Sequence, residues 1–179
     1  MIPFPERLPI LETGRLRLDP LRPSDAVDVF PLMGDPEVMA YSDNSEVDDP
    51  DVVAAVVASQ GEEMSAGRAV YWAMRALEDA KFVGCCDLSE IDRRHRRAEL
   101  RLILAPDAWE QDYALEAMRA VVAYAAAGGL RRLTARSHLG HRRFEDSLHA
   151  VGFREEGLLR GHILKDGERR DCRLFGLLL

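Results

Sequence analysis

Residues 98–137 constrain the fold more than any other stretch. AELRLIL (98–104) and LRRLTARS (130–137) read as strands, and an alanine-rich helix over about 112–127 lies between them. Two strands joined through a helix by short loops close as a right-handed crossover, which makes them parallel neighbours or near neighbours. In the helix, Ala114, Met118, Val121, Val122 and Ala125 fall near one stripe, and Gly128-Gly129 ends it. In the first strand, Leu100, Leu102 and Leu104 share one face, and Glu99, Arg101 and Ile103 the other.

The rest of the chain surrounds this unit with antiparallel signals. RLRLD (15–19) alternates as a half-buried strand, and Ser24 follows as an N-cap for a helix that Gly34 closes. Asp35-Pro36 and Asp49-Pro50 each pair a cap with a first-turn proline, predicting a short helix and a longer one that fades toward Gly67. Segments 69–77 and 81–90 then run as a meander into 98–104 across polar turns. After the crossover come a helix over 141–150, closed by Gly152, and a hairpin turning at Lys165-Asp166-Gly167.

At 179 residues this reads as one domain, 1–179, large enough to bury a core without metals or disulfides. The net charge of -7 argues against general nucleic-acid binding, because polyanion affinity needs excess cations. The basic run RRHRR (93–97) has no interleaved aromatics and reads as exposed edge protection in a hairpin turn. Cys85, Cys86 and Cys172 have no paired spacing, no His/Cys cluster has metal spacing, and no apolar run approaches the ~18 residues of a membrane span. Prolines and a glutamate interrupt the start where a signal peptide would be apolar, so the expectation is a soluble cytoplasmic protein in a reducing compartment.

Taken in order, LETGRLRLDPLRPSDA, GDPEVMAY, Gly84 in KFVGCCDL, AELRLILAPDAWEQDYALEAM and AVGFREEGLLRGHILKDGERRD resemble the GNAT superfamily of acyl-CoA N-acyltransferases, specifically its RimJ/RimL-like branch. The resemblance covers nearly the whole chain. It implies an α+β fold: a single mixed, mostly antiparallel sheet splayed between two parallel central strands, with helices on both faces. It also implies acetyl-CoA as co-substrate, its pantetheine arm in the splay along Leu102, Ile103 and Leu104. The diphosphate would lie on the first amides of the helix near Asp112, where N–H groups lack intrahelical acceptors and the macrodipole is positive.

The family's loop reads Trp-Gly-x-Gly-Tyr-Ala followed by x-Glu-Ala. This chain keeps Trp109, Gln111, Tyr113, Ala114, Glu116 and Ala117, but has Glu110 and Asp112 in place of the two glycines. Either the loop tolerates the acids, or Asp112 caps the helix and takes the amides a phosphate would have taken. Arg101 replaces a further family glycine, and His141 and Phe144 replace an asparagine and a serine. Arg142 and Arg143 are candidate phosphate partners, with a solvated helix face as the alternative.

The resemblance implies direct attack of an amine on the thioester, with a carboxylate or histidine as base. Glu99 and His138 are the candidates. Against them stand a structural pair between Glu99 and a nearby arginine such as Arg97, and an ordinary strand-end role for His138. The acceptor would be a primary amine, on a small molecule or a protein N-terminus, its specificity set by 31–50, with Tyr41 and Asp43, and by 155–170. Two functions stay open: an N-acetyltransferase, or a weakened or non-catalytic member keeping the fold for binding. The oligomeric state is open, a homodimer included.

Overall fold

In the computed structural model, which describes residues 8–179, the alternating segments form β1 (Leu11–Glu12), β2 (Leu16–Pro20), β3 (Val70–Ala76), β4 (Phe82–Asp92), β5 (Arg97–Leu104), β6 (Arg132–His138), β7 (Arg154–Lys165) and β8 (Glu168–Leu178). The helices are α1 (Ala26–Met33), α2 (Pro36–Met39), α3 (Pro50–Ser65), α4 (Tyr113–Ala127) and α5 (Arg142–Val151). One sheet holds the strands in the order β1-β2-β3-β4-β5-β6-β8-β7, and β5/β6 is its one parallel pair among the described residues.

The crossover forms as its sequence requires, and then opens. β5 and β6 pair at Arg97↔Arg132, Ala98↔Leu133 and Glu99↔Thr134, and no further. β5 nevertheless stays paired with β4 up to Gly84↔Leu104, and β6 with β8 up to His138↔Cys172. The edge of Leu102–Leu104 that faces β6 is therefore left without a strand partner.

Alternation sends the two faces to different helices. Leu16, Leu18, Trp72, Met74, Leu88, Leu100 and Leu133 pack with Met118 and Val121 of α4 and Phe144 and Leu148 of α5. On the opposite face, Tyr71 and Ala73 pack with Val29 of α1 and Val53 and Val57 of α3. Glu116 ties α4 to the start of the sheet, accepting from Thr13 Oγ1 (2.5 Å), the Arg15 amide (2.7 Å) and Arg15 Nε (2.8 Å). The Thr13-Arg15 and Glu116 parts of the two family phrases are thus one contact.

Asp35 accepts from the Glu37 and Val38 amides and Asp49 from the Asp51 amide, as caps should. Ser24 does not cap: it lies inside a 3-10 turn, Pro23–Asp25, where Asp25 accepts from the Arg22 amide at 2.7 Å. The RRHRR run is also corrected. It turns between β4 and β5 in the middle of the sheet, where there is no edge to protect. The β7–β8 hairpin turns on Asp166 (φ 52°) and Gly167 (φ 80°), the two positive values a type I′ turn needs.

Candidate active site

A groove of about 760 Å³ opens where β5 and β6 part. Its floor is the backbone and side chains of Leu102, Ile103 and Leu104, one end is the loop before α4, and the other lies under α1–α3. Of the residues singled out from sequence, Glu99, His138, Leu102, Ile103, Leu104, Trp109, Asp112, Ala114, His141, Arg142 and Phe144 line it. Gln111 and Tyr113 do not. Gln111 is exposed, and the Tyr113 ring turns toward β2, where the Arg15 guanidinium lies 4.9 Å from its centroid.

At the loop end, Trp109 Nε1 donates to the Leu104 carbonyl at 3.1 Å, fixing the loop to the end of β5. Asp112 has φ 56° and ψ 17°, the left-handed conformation a glycine would supply, and its side chain takes no hydrogen bond from α4. The capping alternative therefore does not hold: Asp112 stands at the N-cap of α4, but its carboxylate accepts none of the amides that follow. Aspartate is among the few non-glycine residues that visit the left-handed region. The turn keeps its backbone shape, and the first α4 amides stay clear of a side-chain cap. Arg143 stacks its guanidinium 4.5 Å from the Trp109 ring centroid and lies 3.9 Å from Glu110, so it bridges the groove's mouth. These features fit an anionic group at the loop, with Glu110 and Asp112 as opposing charges.

His141 stacks between Tyr41 (4.2 Å, 10°) and Phe144 (5.4 Å, 19°), closing the wall at the start of α5. Burial, with His138 and Arg143 nearby, pushes its imidazole down to about 4. Phe144 is buried in this stack, so the wall is apolar at position 144, where the resemblance implies a serine.

Under α1–α3 lies a set of paired charges. Glu99 is 5% exposed and accepts from Arg136 Nε at 2.9 Å. The alternative partner Arg97 instead lies 3.5 Å from Asp92 across the hairpin. Arg136 also reaches Asp43 at 3.5 Å, and Asp43 Oδ1 lies 2.9 Å from His138 Nε2. Asp43 is held below the usual carboxylate range chiefly by the hydrogen bond from His138, against the effect of burial. Arg101 donates through Nε to Asp87 at 3.0 Å. Burial pushes Asp87 up to about 6 in spite of Arg101. Cys85, beside them, is raised by burial, as an unreactive packing thiol would be.

Sequence reasoning missed the Asp43–His138 contact, because nothing local links residues 95 apart. Asp43 follows α2 in a segment without periodicity, and only its place in an acceptor-side segment pointed toward it.

His141 and Asp87 should oppose each other in stability against pH. A neutral His141 in the fold is charged by acid, so its contribution is full above about 6.5 and is lost as pH falls toward 4. The raised Asp87 contributes fully below about 4, and that contribution is lost as pH rises through 6. Each term is on the order of 3 kcal/mol. Wild-type melting temperature should then be nearly flat over this window, whereas His141→Asn should fall from pH 4 to 6. A wild type and variant with the same slope would contradict the burial of His141.

Residues 15–154 match the acetyltransferase (GNAT) domain family. The chain is 25% identical over 171 residues to the uncharacterized N-acetyltransferase YoaA of Bacillus subtilis, covering 95% of this chain and 97% of that protein. It superposes on RimL, a ribosomal alpha-N-protein acetyltransferase in complex with coenzyme A, with a TM-score of 0.84 at 13% identity over 96% of this chain and 98% of that one. It also superposes on the spermidine N-acetyltransferase from Vibrio cholerae in complex with CoA and spermine, with a TM-score of 0.81 at 18% identity over 93% and 96%. At these identities the two structures establish a shared fold.

Proposed function

The chain belongs to the GNAT family of acetyltransferases, and on that premise we propose that it transfers an acetyl group from acetyl-CoA to a primary amine by direct attack on the thioester. The observation that carries this is the opening of β5 from β6 after Glu99↔Thr134. It leaves a strand edge that an extended chain with amide groups can pair with, leading to uncapped amides at α4. Leu102–Leu104, Trp109, Ala114 and Arg143 would hold the co-substrate, with Arg142, exposed at the same mouth, as a second cation. Acetyl-CoA, when bound, supplies a polarised carbonyl and a thiolate leaving group. The chain's own residues position the amine, exclude water with the Tyr41–His141–Phe144 wall, and accept a proton.

The acceptor end favours one ammonium. Within the ion-paired set, Asp43, Asp87 and Glu99 face Arg101 and Arg136, leaving one carboxylate in excess, while Glu37 at the same end is exposed to solvent. The single excess within the set suits a monoamine or a protein N-terminus better than a polyamine. An amine panel with acetyl-CoA, read by thiol release, tests this. Monoamines or N-terminal peptides should release thiol faster than spermidine. Spermidine as the best acceptor would overturn the single-charge reading, and no release with any amine would overturn the transfer itself.

Glu99, locked to Arg136, acts here by holding the charged set together, and His138 accepts the proton. Glu99→Gln should therefore lower turnover about tenfold at every pH, the order of a lost charged hydrogen bond. A loss confined to neutral pH, where little free amine is present, would make Glu99 the base instead.

A further inference from the structure

We propose that Asp43 is a positioning residue that fixes His138 in one tautomer, with Nδ1 as the nitrogen that takes the acceptor's proton. This rests on the acetyltransferase reading. The Asp43 carboxylate is an acceptor only, so at 2.9 Å the His138 Nε2 must carry the hydrogen. The lone pair then lies on Nδ1, which makes no hydrogen bond among the described residues. His138 is 8% exposed and lines both the main groove and a second cavity of about 410 Å³.

The charges around His138 explain why Asp43 takes this role. On β6, Arg136 is occupied by Glu99, with Asp43 as its second contact. Just before α5, His141 is held neutral in its stack. From β8, Arg169, Arg170 and Asp171 line the smaller cavity. Within hydrogen-bond reach of the ring, Asp43 is the one carboxylate among the described residues.

Asp43 lies in a non-helical loop, so something else must hold it. The tip of the β7–β8 hairpin does. Lys165, 4% exposed, donates to the Met39 carbonyl at 2.5 Å and the Ser42 carbonyl at 3.2 Å, and Ser45 hydrogen-bonds Asp166. A buried ammonium between two carbonyls fixes the backbone immediately before Asp43.

In the transfer, an ammonium acceptor gives one proton to Nδ1. The freed lone pair forms the N–C bond at the thioester carbonyl while the C–S bond breaks. The nitrogen's second surplus proton goes to the thiolate. The imidazolium, paired with Asp43, returns its proton to solvent.

Asp43→Asn tests this, because its amide can donate to Nε2 and drive the hydrogen onto Nδ1. At neutral pH its kcat should fall about hundredfold with KM for acetyl-CoA unchanged, and the loss should narrow above about pH 9, where the acceptor arrives as free amine. Asp43→Glu should restore part of the rate, and His138→Gln should show the same relief at high pH. In the free protein, nitrogen NMR should find the hydrogen of His138 on Nε2, a readout that needs no activity. The hydrogen on Nδ1 in wild type, an Asp43→Asn loss equal at all pH, or full turnover by His138→Gln would each overturn the proposal. Failure of the acetyltransferase reading shows differently, as absent acetyl-CoA binding with the Nε2 tautomer intact.

Discussion

Gly84→Ala should destabilise the protein by about 3 kcal/mol or more and abolish co-substrate binding, because the clash falls on backbone at the groove's floor. Gly84 has φ 152°, and an added Cβ would stand 2.2 Å from the Ile103 carbonyl oxygen and 3.0 Å from the Leu104 Cα. Neither atom belongs to a flexible side chain. Gly84 pairs with Leu104 across β4 and β5, so relief requires moving the part of β5 that has no β6 partner to steady it. Urea denaturation should show a lower midpoint with an unchanged slope. A midpoint within error of wild type would show that this end of β5 shifts freely, and the groove could not then be a preformed one.

Asp112→Gly combined with Glu110→Gly should tighten acetyl-CoA binding about tenfold. Both side chains are exposed, so salt screens them and the repulsion of a diphosphate is modest. Backbone access adds to it, since both glycines remove bulk from the turn. Because Asp112 sits at φ 56° without capping α4, its replacement by glycine loses no cap and relieves left-handed strain. Asp112→Gly alone should thus stabilise the fold by about 1 kcal/mol, raising the melting temperature by about 3 °C. Asp112→Asn separates the causes: it keeps the left-handed turn and removes the charge. Tightening equal to that of the glycine variant would assign the effect to charge, and none would assign it to bulk. A lower melting temperature for Asp112→Gly would contradict the uncapped geometry.

What could be read from sequence, and what could not, divides by range. The crossover was readable because its strand, helix and strand each carry a local period, and short loops leave one handedness. The Trp109–Ala114 loop and Glu116 were readable as motif, though not Glu116's bond to Thr13 and Arg15, which joins segments about a hundred residues apart. A structural pair between Glu99 and an arginine stands as an alternative in the sequence, with Arg97 as the example because proximity is the only guide there; the partner is Arg136. In the sheet, the widening gap between β5 and β6 gives Arg136 room to reach Glu99. Whether Asp112 caps α4 stays open in the sequence, because residue type before a helix says nothing of the sign of φ. The Asp43–His138 pair depends on where a loop without periodicity comes to rest, and Lys165 decides that from the far end of the chain.

Calorimetric titration of the purified protein with acetyl-CoA, at moderate salt and with free CoA as competitor, tests the assignment most directly. The expected result is one-to-one binding, displaced by CoA and tightened in the Glu110→Gly, Asp112→Gly double variant. No binding at millimolar acetyl-CoA, in wild type and double variant alike, would contradict it.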